Sequence, residues 1–342
     1  MNTILVTGGA GFIGSNFARM MLERHADAQI IIYDALTYAG NPRNLEDLTE
    51  RFAGRFAFVR GDIADAKKVE VTFRESMPDA IVNFAAASHV DRSIMGSEDF
   101  VQTEVQGTRV LLDAARNFGV ERYLQVSTDE VYGEVLTGAS TETAPLAPRN
   151  PYSATKAGAD LLALSYYQTY GVPVVITRGC NTYGPYQYPE KLIPLFATNA
   201  IDDSPLPLYG DGKQVREWIY VLDHCSGIDF VLRRGKTGEV YNVGTEDGRE
   251  NIEITNTLLK LLNKPASLIR PVEDRLGHDR RYAMDSSKLR AEGWKPEWDF
   301  ERGMAETVRW YYDRQDWWRP LKNGEYWDYY QRQYGQRLAS GG

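Results

Sequence analysis

Two carboxylates stand side by side in STDEVYG, the stretch from Ser127 to Gly133: Asp129 and Glu130, directly behind the hydroxyls of Ser127 and Thr128. They close the run RYLQV, whose apolar character reads as a buried strand. Adjacent acids add no stability there, because a charge taken out of water costs free energy unless it is paired. Three uses are open to them: a solvated loop, a metal site, or an acid–base pair. A metal is poorly served, with no histidine or third carboxylate nearby in sequence and His89 at a different strand end. A second pair is Tyr152 and Lys156 in YSATK. Residues four apart share a helix face. An ammonium near a phenol favours the phenolate, which gives a base near neutral pH.

These side chains need elements to hold them, and the first half of the sequence alternates strand and helix. TILVT is a short β-branched strand ending at glycines, and FIGSNFARMMLER continues with apolar residues at helical spacing. QIIIY, which stops at Asp34, RFAFVRGDI and DAIVNFAAA read as the next three strands. A long helix is expected over 99–118, then the strand RYLQVST, a second long helix over 152–170, and the strand VPVVITR. Such apolar strands separated by helices predict an α/β fold, a Rossmann-type doubly wound parallel sheet covered on both faces. No period of repeat-protein length is present. After Arg178 the alternation loosens and Pro and Gly rise, as in GPYQYP and DSPLPLYGDG. A smaller, irregular α/β lobe is expected there, with helices near 221–233, 252–262 and 301–314. The division is therefore 1–178 for a dinucleotide-binding domain carrying the Tyr/Lys helix. Residues 179–342 would form mainly a substrate lobe, with some chain returning to the first domain. The aromatic-dense WYYDRQDWWRPLKNGEYWDYY reads as a packed or dimer-facing segment.

Length and composition set bounds. The 342 residues suffice for one large domain or two smaller ones, and 43% hydrophobic with 25% charged residues is ordinary for a globular chain. A net charge of −8 argues against a nucleic-acid or membrane-surface protein. The N-terminal MNTILVTGGAGFIG has no basic region, apolar run and cleavage site in succession, and no stretch approaches the length of a membrane span. A cytoplasmic chain is expected. Cys180 and Cys225 lie far apart without metal-type spacing and are expected to be reduced packing residues.

Gly8, Gly11 and Gly14 form G-x-x-G-x-x-G between the first strand and the first helix. Glycine lets backbone approach a pyrophosphate, and the helix N-terminus offers free N–H groups and the positive end of its dipole. Asp34 ends the second strand about 20 residues further on, where a carboxylate accepts from ribose hydroxyls and repels a 2′-phosphate. NAD is predicted over NADP. Asp62, in RGDI after the third strand, is placed to touch the adenine or to cap the next helix. On such a fold the Tyr152–Lys156 pair gains a purpose: taking a proton from a sugar hydroxyl while hydride leaves to NAD, with the lysine also holding the nicotinamide ribose.

TGGAGFIG, the YxxxK pair and the α/β pattern resemble the extended short-chain dehydrogenase/reductase family. DALTYAGN, NFAAASHVDRSI, STDEVYGE, PYSATKAGAD, GPYQYPEKLIP, LYGDGKQVREWIYVLDHC, EVYNVG and DRLGHDRRYAMD narrow the resemblance to its nucleotide-sugar 4,6-dehydratases, from Met1 to about Leu321. Epimerases of the same fold keep the Tyr and Lys but lack a paired Asp-Glu. The resemblance implies a lyase acting on dTDP-glucose with tightly bound NAD. It oxidises C4, eliminates water across C5 and C6, and returns hydride to C6. Glu130 would take the C5 proton and Asp129 protonate the leaving hydroxyl, which requires Asp129 to be held protonated by burial and a neighbouring charge. Thr128 would bond the C4 oxygen, Tyr152 act as the C4 hydroxyl base, and Lys156 tune it and grip the ribose.

Further roles come with the same resemblance. Cofactor contacts would include Phe12, Ile13, Leu36, Thr37 and Ile63. Ala85, Ala86, Ser88, Thr103 and Asn181 would join them. Substrate contacts would be Ser88, Thr128, Asn181, Lys191, Leu192 and Pro207, then Tyr209, Arg216, Asn251, Arg275, His278 and Tyr282. A homodimer seam would be built from the two long helices. Four residues depart from the family pattern: Ala87 for glutamate, Glu104 for asparagine, Thr182 for asparagine and Leu276 for proline. Alternatives remain open: UDP-glucose as substrate, one methyl group and on the order of 1 kcal/mol away; a sugar-nucleotide 4-epimerase; or a non-catalytic NAD-binding regulator.

Overall fold

The computed structural model describes residues 1–340. Twelve strands are formed: β1 (Thr3–Thr7), β2 (Gln29–Asp34), β3 (Phe56–Arg60), β4 (Ala80–Asn83), β5 (Arg122–Thr128) and β6 (Val174–Gly179) come first. β7 (Asn181–Tyr183), β8 (Leu206–Tyr209), β9 (Val215–Tyr220), β10 (Val240–Val243), β11 (Gly248–Glu250) and β12 (Ile269–Val272) follow. Seven make one sheet in the order β10-β6-β5-β4-β1-β2-β3, every neighbouring pair parallel. The order reverses between β1 and β4, and at such a point the helices leave in opposite directions and open a crevice at the carboxyl ends of the strands.

The period of two along each strand sorts the core into layers. Ile4 and Val6 pack with Phe17 and Met21 of the helix Phe12–Arg24 and with Cys225 and Ile228 of the helix Val221–Arg234. Leu5 and Ile81, pointing the other way, pack with Val69, Phe73, Leu111 and Ala163 from three helices on the opposite face. Both β10 and the helix Val221–Arg234 bring late sequence back onto this sheet. Beyond it, β11-β9-β7 form a three-stranded sheet and β12-β8 a pair, around a second core rich in aromatics. Trp317 and Trp318 are buried in that core, and their indole N–H groups donate to Asn44 Oδ1 (2.9 Å) and the Tyr311 carbonyl (2.7 Å). The aromatic-dense segment is a packed one.

Two helices carry the site. Pro151–Tyr170 starts at Asn150, whose Oδ1 accepts from Ser153 N at 2.9 Å, and stops at Gly171 with φ 72°. The span 99–118, read as one regular helix, is helical but interrupted: Val101–Gly107 is wound as a π-helix before Thr108–Phe118 resumes the α-form. π-turns of this kind redirect side chains and gather at functional sites. Strand four is shorter than DAIVNFAAA suggests, because Phe84–Ser88 leave the sheet to run beneath the glycine turn. No helix among the described residues is long and apolar enough to cross a membrane.

Candidate active site

The crevice at the switch point is a cleft of about 520 Å³. Its floor is the glycine turn. Gly8 has φ +65° and a Cβ there would stand 2.6 Å from Ala85 N; a Cβ on Gly14 would stand 2.6 Å from the Gly8 carbonyl oxygen. Side chains at either position would collide with backbone and prise apart the tight packing of the turn on the strand end and helix start. Asp34 is buried beside this turn, accepting from Ala10 N (2.9 Å) and Leu36 N (2.8 Å). One carboxylate thus fixes the glycine turn and faces the cleft. Phe12, Ile13, Thr37, Asp62, Ile63, Ala85, Ala86, Ser88, Thr103 and Asn181 also line the cleft. Leu36 does not: its side chain packs against the core, and φ 55° turns only its backbone toward Asp34. The close-packed glycine turn at the start of the helix, with Gly11 and Asp34 lining the cleft, fits a dinucleotide.

At the end of β5, Thr128 caps the short 3-10 turn Asp129–Tyr132: Glu130 N donates to Thr128 Oγ1 at 3.3 Å, and that hydroxyl donates to Asp129 Oδ1 at 3.1 Å. Asp129 is 3% exposed, and its Oδ2 is buried without a partner. Burial, then the charges of Glu130 and Glu217, push its carboxyl up to about 8. A carboxylic acid that keeps its proton at pH 7 can donate it. Glu130 Oε2 accepts from Asn150 Nδ2 at 3.4 Å, so the cap of the Tyr/Lys helix also steadies the second acid. Thr128, Asp129, Glu130, Tyr152 and Lys156 all face the same cleft.

The surroundings of Tyr152 oppose its ionisation in this structure. Burial, followed by the charges of Glu130, Glu104 and Asp129, drives the phenol well above its ordinary value. The ammonium of Lys156 is occupied: it donates to the Val126 carbonyl at 2.6 Å and pairs with Glu104 Oε2 at 3.3 Å. Glu104, turned inward by the π-helix, is fully buried, and burial raises its own carboxyl pKa. Replacing it by glutamine removes a negative charge that opposes the phenolate. Glu104→Gln should therefore move the acid limb of the kcat–pH profile to lower pH; an unmoved limb would remove Glu104 from the ionisation of Tyr152.

A second cavity, about 130 Å³, adjoins the first and shares Glu130, Asn181, Lys191 and Leu192 with it. Pro207, Tyr209, Arg216, Asn251, Arg275 and His278 also line it. Lys191 Nζ donates to the Ser88 carbonyl at 2.5 Å, closing the junction. Burial and the charges of Arg275 and Arg216 push the His278 imidazole down to about 4, so it is neutral near pH 7. Tyr282 is not a lining residue. Its ring lies 4.2 Å from the Arg216 guanidinium and its hydroxyl donates to Asp279 Oδ2 at 2.5 Å, so it braces that arginine from behind.

Sequence reasoning missed three groups. Asp91 is the hub of the second cavity: Oδ1 accepts from Arg275 at 2.8 Å, Oδ2 from Tyr209 at 2.9 Å and from Gln333 at 3.1 Å. The signal was present in HVDRS, an acid in the first turn of the helix Val90–Met95. Glu190, beside Lys191, pairs with Arg92 at 2.9 Å. Tyr334 lines the second cavity from far along the chain, and no local pattern marks it. Of the other departures, Ala87 lines the main cleft, Thr182 Oγ1 bonds His224 Nδ1 at 2.7 Å, and Leu276 is 80% exposed. No group of three or more metal-ligating side chains occurs among the described residues.

The family model described as GDP-mannose 4,6 dehydratase matches residues 5–307. The chain is 54% identical to the low-salt glycan biosynthesis protein Agl12 of Haloferax volcanii, over 90% of this chain and 98% of that protein. It is 49% identical to a dTDP-glucose 4,6-dehydratase of Actinoplanes sp., over 92% and 99%. Among solved structures it is similar to DesIV, a dTDP-glucose 4,6-dehydratase from Streptomyces venezuelae solved with NAD and TYD bound. That similarity is 51% identity and a TM-score of 0.91, over 94% of this chain and 100% of that one.

Proposed function

The chain belongs to the family described as GDP-mannose 4,6 dehydratase, and from that premise we infer that it converts dTDP-glucose into dTDP-4-keto-6-deoxyglucose and water with NAD. The observation that carries this reading is the unequal acid pair: a buried, proton-holding Asp129 next to Glu130, in one cleft with Tyr152 and Lys156. An NAD-linked 4-epimerase needs only the tyrosine and lysine.

The glycine turn and Asp34 would hold NAD, which would supply the two-electron acceptor for the hydride lost from C4 and gained at C6. Tyr152 accepts the C4 hydroxyl proton. Thr128 Oγ1 gives up its bond to Asp129 Oδ1 to hydrogen-bond the oxygen that becomes the ketone. That ketone makes the C5 hydrogen acidic enough for a carboxylate, and Glu130 removes it. Asp129 gives its proton to the C6 hydroxyl, which leaves as water. Glu130 hands its proton back to C5 when C6 is reduced, and solvent carries the Tyr152 proton back to Asp129. Arg216, Arg275 and Lys191 grip the diphosphate, with neutral His278, Asn251 and Tyr209 beside them.

Because Asp129 must be protonated, this requirement is met below its pKa of about 8 and lost as pH rises through it. The basic limb of the kcat–pH profile in the parent enzyme should lie there, and Asp129→Asn should abolish that limb along with most turnover. A limb unchanged in the variant would reassign the acid. The reading itself is tested by incubating purified protein with dTDP-glucose and with UDP-glucose and following the alkali-induced absorbance of a 4-keto-6-deoxy sugar. Formation from dTDP-glucose supports it, and release of no keto sugar from either would contradict it.

The division at residue 178 and the roles of the individual side chains belong to the same proposal. So does a homodimer through the helices of 99–118 and 152–170, where Val101 and Leu161 are exposed. A cytoplasmic location is supported by two free, buried cysteines.

A further inference from the structure

The second cavity has two unlike sides. Arg216, Arg275, His278 and Asn251 are polar and suit a diphosphate, whereas Leu195, Phe196, Pro207 and Leu208 are apolar. A third side comes from the C-terminal segment, beyond the part of the sequence that resembles the family. Helix Gly324–Tyr330 runs into a π-helical turn, Gln331–Gly335. That turn places Tyr334 in the cavity wall, its ring 5.8 Å from Tyr209 and 5.1 Å from Tyr330. The neighbouring Gln333 is buried, and its amide donates to Asp91 Oδ2 at 3.1 Å and to the Tyr209 hydroxyl. The same Asp91 carboxylate holds the Arg275 guanidinium. In the last turn of the helix Tyr329 packs edge-on against His89, and Arg92 lies 4.4 Å from the Tyr329 ring. The segment is thus tied by hydrogen bonds and ring contacts to both lips of the cavity.

We propose that this C-terminal segment is part of the nucleotide site: Tyr334 forms an aromatic wall for the pyrimidine base, and Gln333, through Asp91, positions Arg275 for the diphosphate. The proposal rests on the nucleotide-sugar reading above. An aromatic ring in a pocket wall offers a flat apolar surface for a base at small entropic cost. The Gln333 amide fills the second oxygen of Asp91, which leaves Oδ1 to orient one guanidinium. The network is local, so its loss should weaken ground-state and transition-state binding together.

Two measurements on the full chain test it. In the parent, adding dTDP should slow amide hydrogen exchange across residues 324–335; unchanged exchange there would overturn the proposal. In Tyr334→Ala and the bulkier Tyr334→Leu, KM for the nucleotide sugar the parent turns over and Kd for dTDP should both rise about tenfold, with kcat falling much less. Gln333→Leu should weaken dTDP in the same way and leave bound NAD at the parent level. KM and Kd within about twofold of parent in both Tyr334 variants would overturn it. A parent that turns over neither dTDP-glucose nor UDP-glucose would instead overturn the functional reading, and the exchange result with dTDP would still decide this one.

Discussion

Glu130→Gln is expected to halt the reaction after its first oxidation, lowering product formation about 10³-fold. Glutamine keeps the shape and can keep the contact to Asn150, but it has no basicity toward the C5 hydrogen. C4 oxidation uses Tyr152 and leaves Glu130 idle, so that step should survive. Reduced cofactor should then accumulate on the enzyme, seen as near-ultraviolet absorbance that rises on adding dTDP-glucose and does not decay. The substitution also removes a charge that holds the Asp129 proton in place, so the basic limb near pH 8 should move to lower pH in whatever turnover remains. Product formed at the parent rate would remove Glu130 from the elimination.

Tyr152→Phe should give the opposite pattern. Turnover should again fall by about 10³-fold, but with no accumulation of reduced cofactor, because the loss precedes the first oxidation. The phenol stands among Glu130, Glu104 and Asp129, all of which oppose its ionisation. Its use as a base therefore depends on positive charge brought by Lys156 and the bound cofactor. Glu104 draws on the same ammonium, which is why Glu104→Gln should ease the acid limb where Tyr152→Phe removes the step. Bound NAD should stay at the parent level in Tyr152→Phe, since the glycine turn and Asp34 are untouched; loss of NAD would make Tyr152 a cofactor-holding group. Accumulation of reduced cofactor in this variant would contradict its role.

The parts of the fold that follow from local chemistry were readable in advance. TILVT, QIIIYD and RYLQVST are buried parallel strands because β-branched and apolar runs satisfy a sheet covered on both faces. Gly171 closes the Tyr/Lys helix, as glycine at a helix end does, while the N-terminal cap is set by Asn150 ahead of Pro151. Proximity in space was less readable. The π-helical turn at Val101–Gly107 has no signature in hydrophobic period, yet it sets Glu104 against Lys156, where its charge opposes ionisation of Tyr152. Asp91 lay inside a quoted motif, but its partners come from residues 209, 275 and 333, which only the folded chain assembles. Leu36 and Tyr282 sit at carried-over positions, while their side chains turn into the core and onto the back of Arg216. Spacing fixes which backbone lies near a site; it does not fix which way a side chain points.

Substrate carrying deuterium at C4 gives the most direct reading of whether one ring is oxidised and dehydrated between the cofactor and the acid pair. After turnover in ordinary water, dTDP-glucose so labelled is expected to yield a 4-keto-6-deoxy sugar with the deuterium in its C6 methyl group. Deuterium retained at C4, or washed out to solvent with none at C6, would contradict the account.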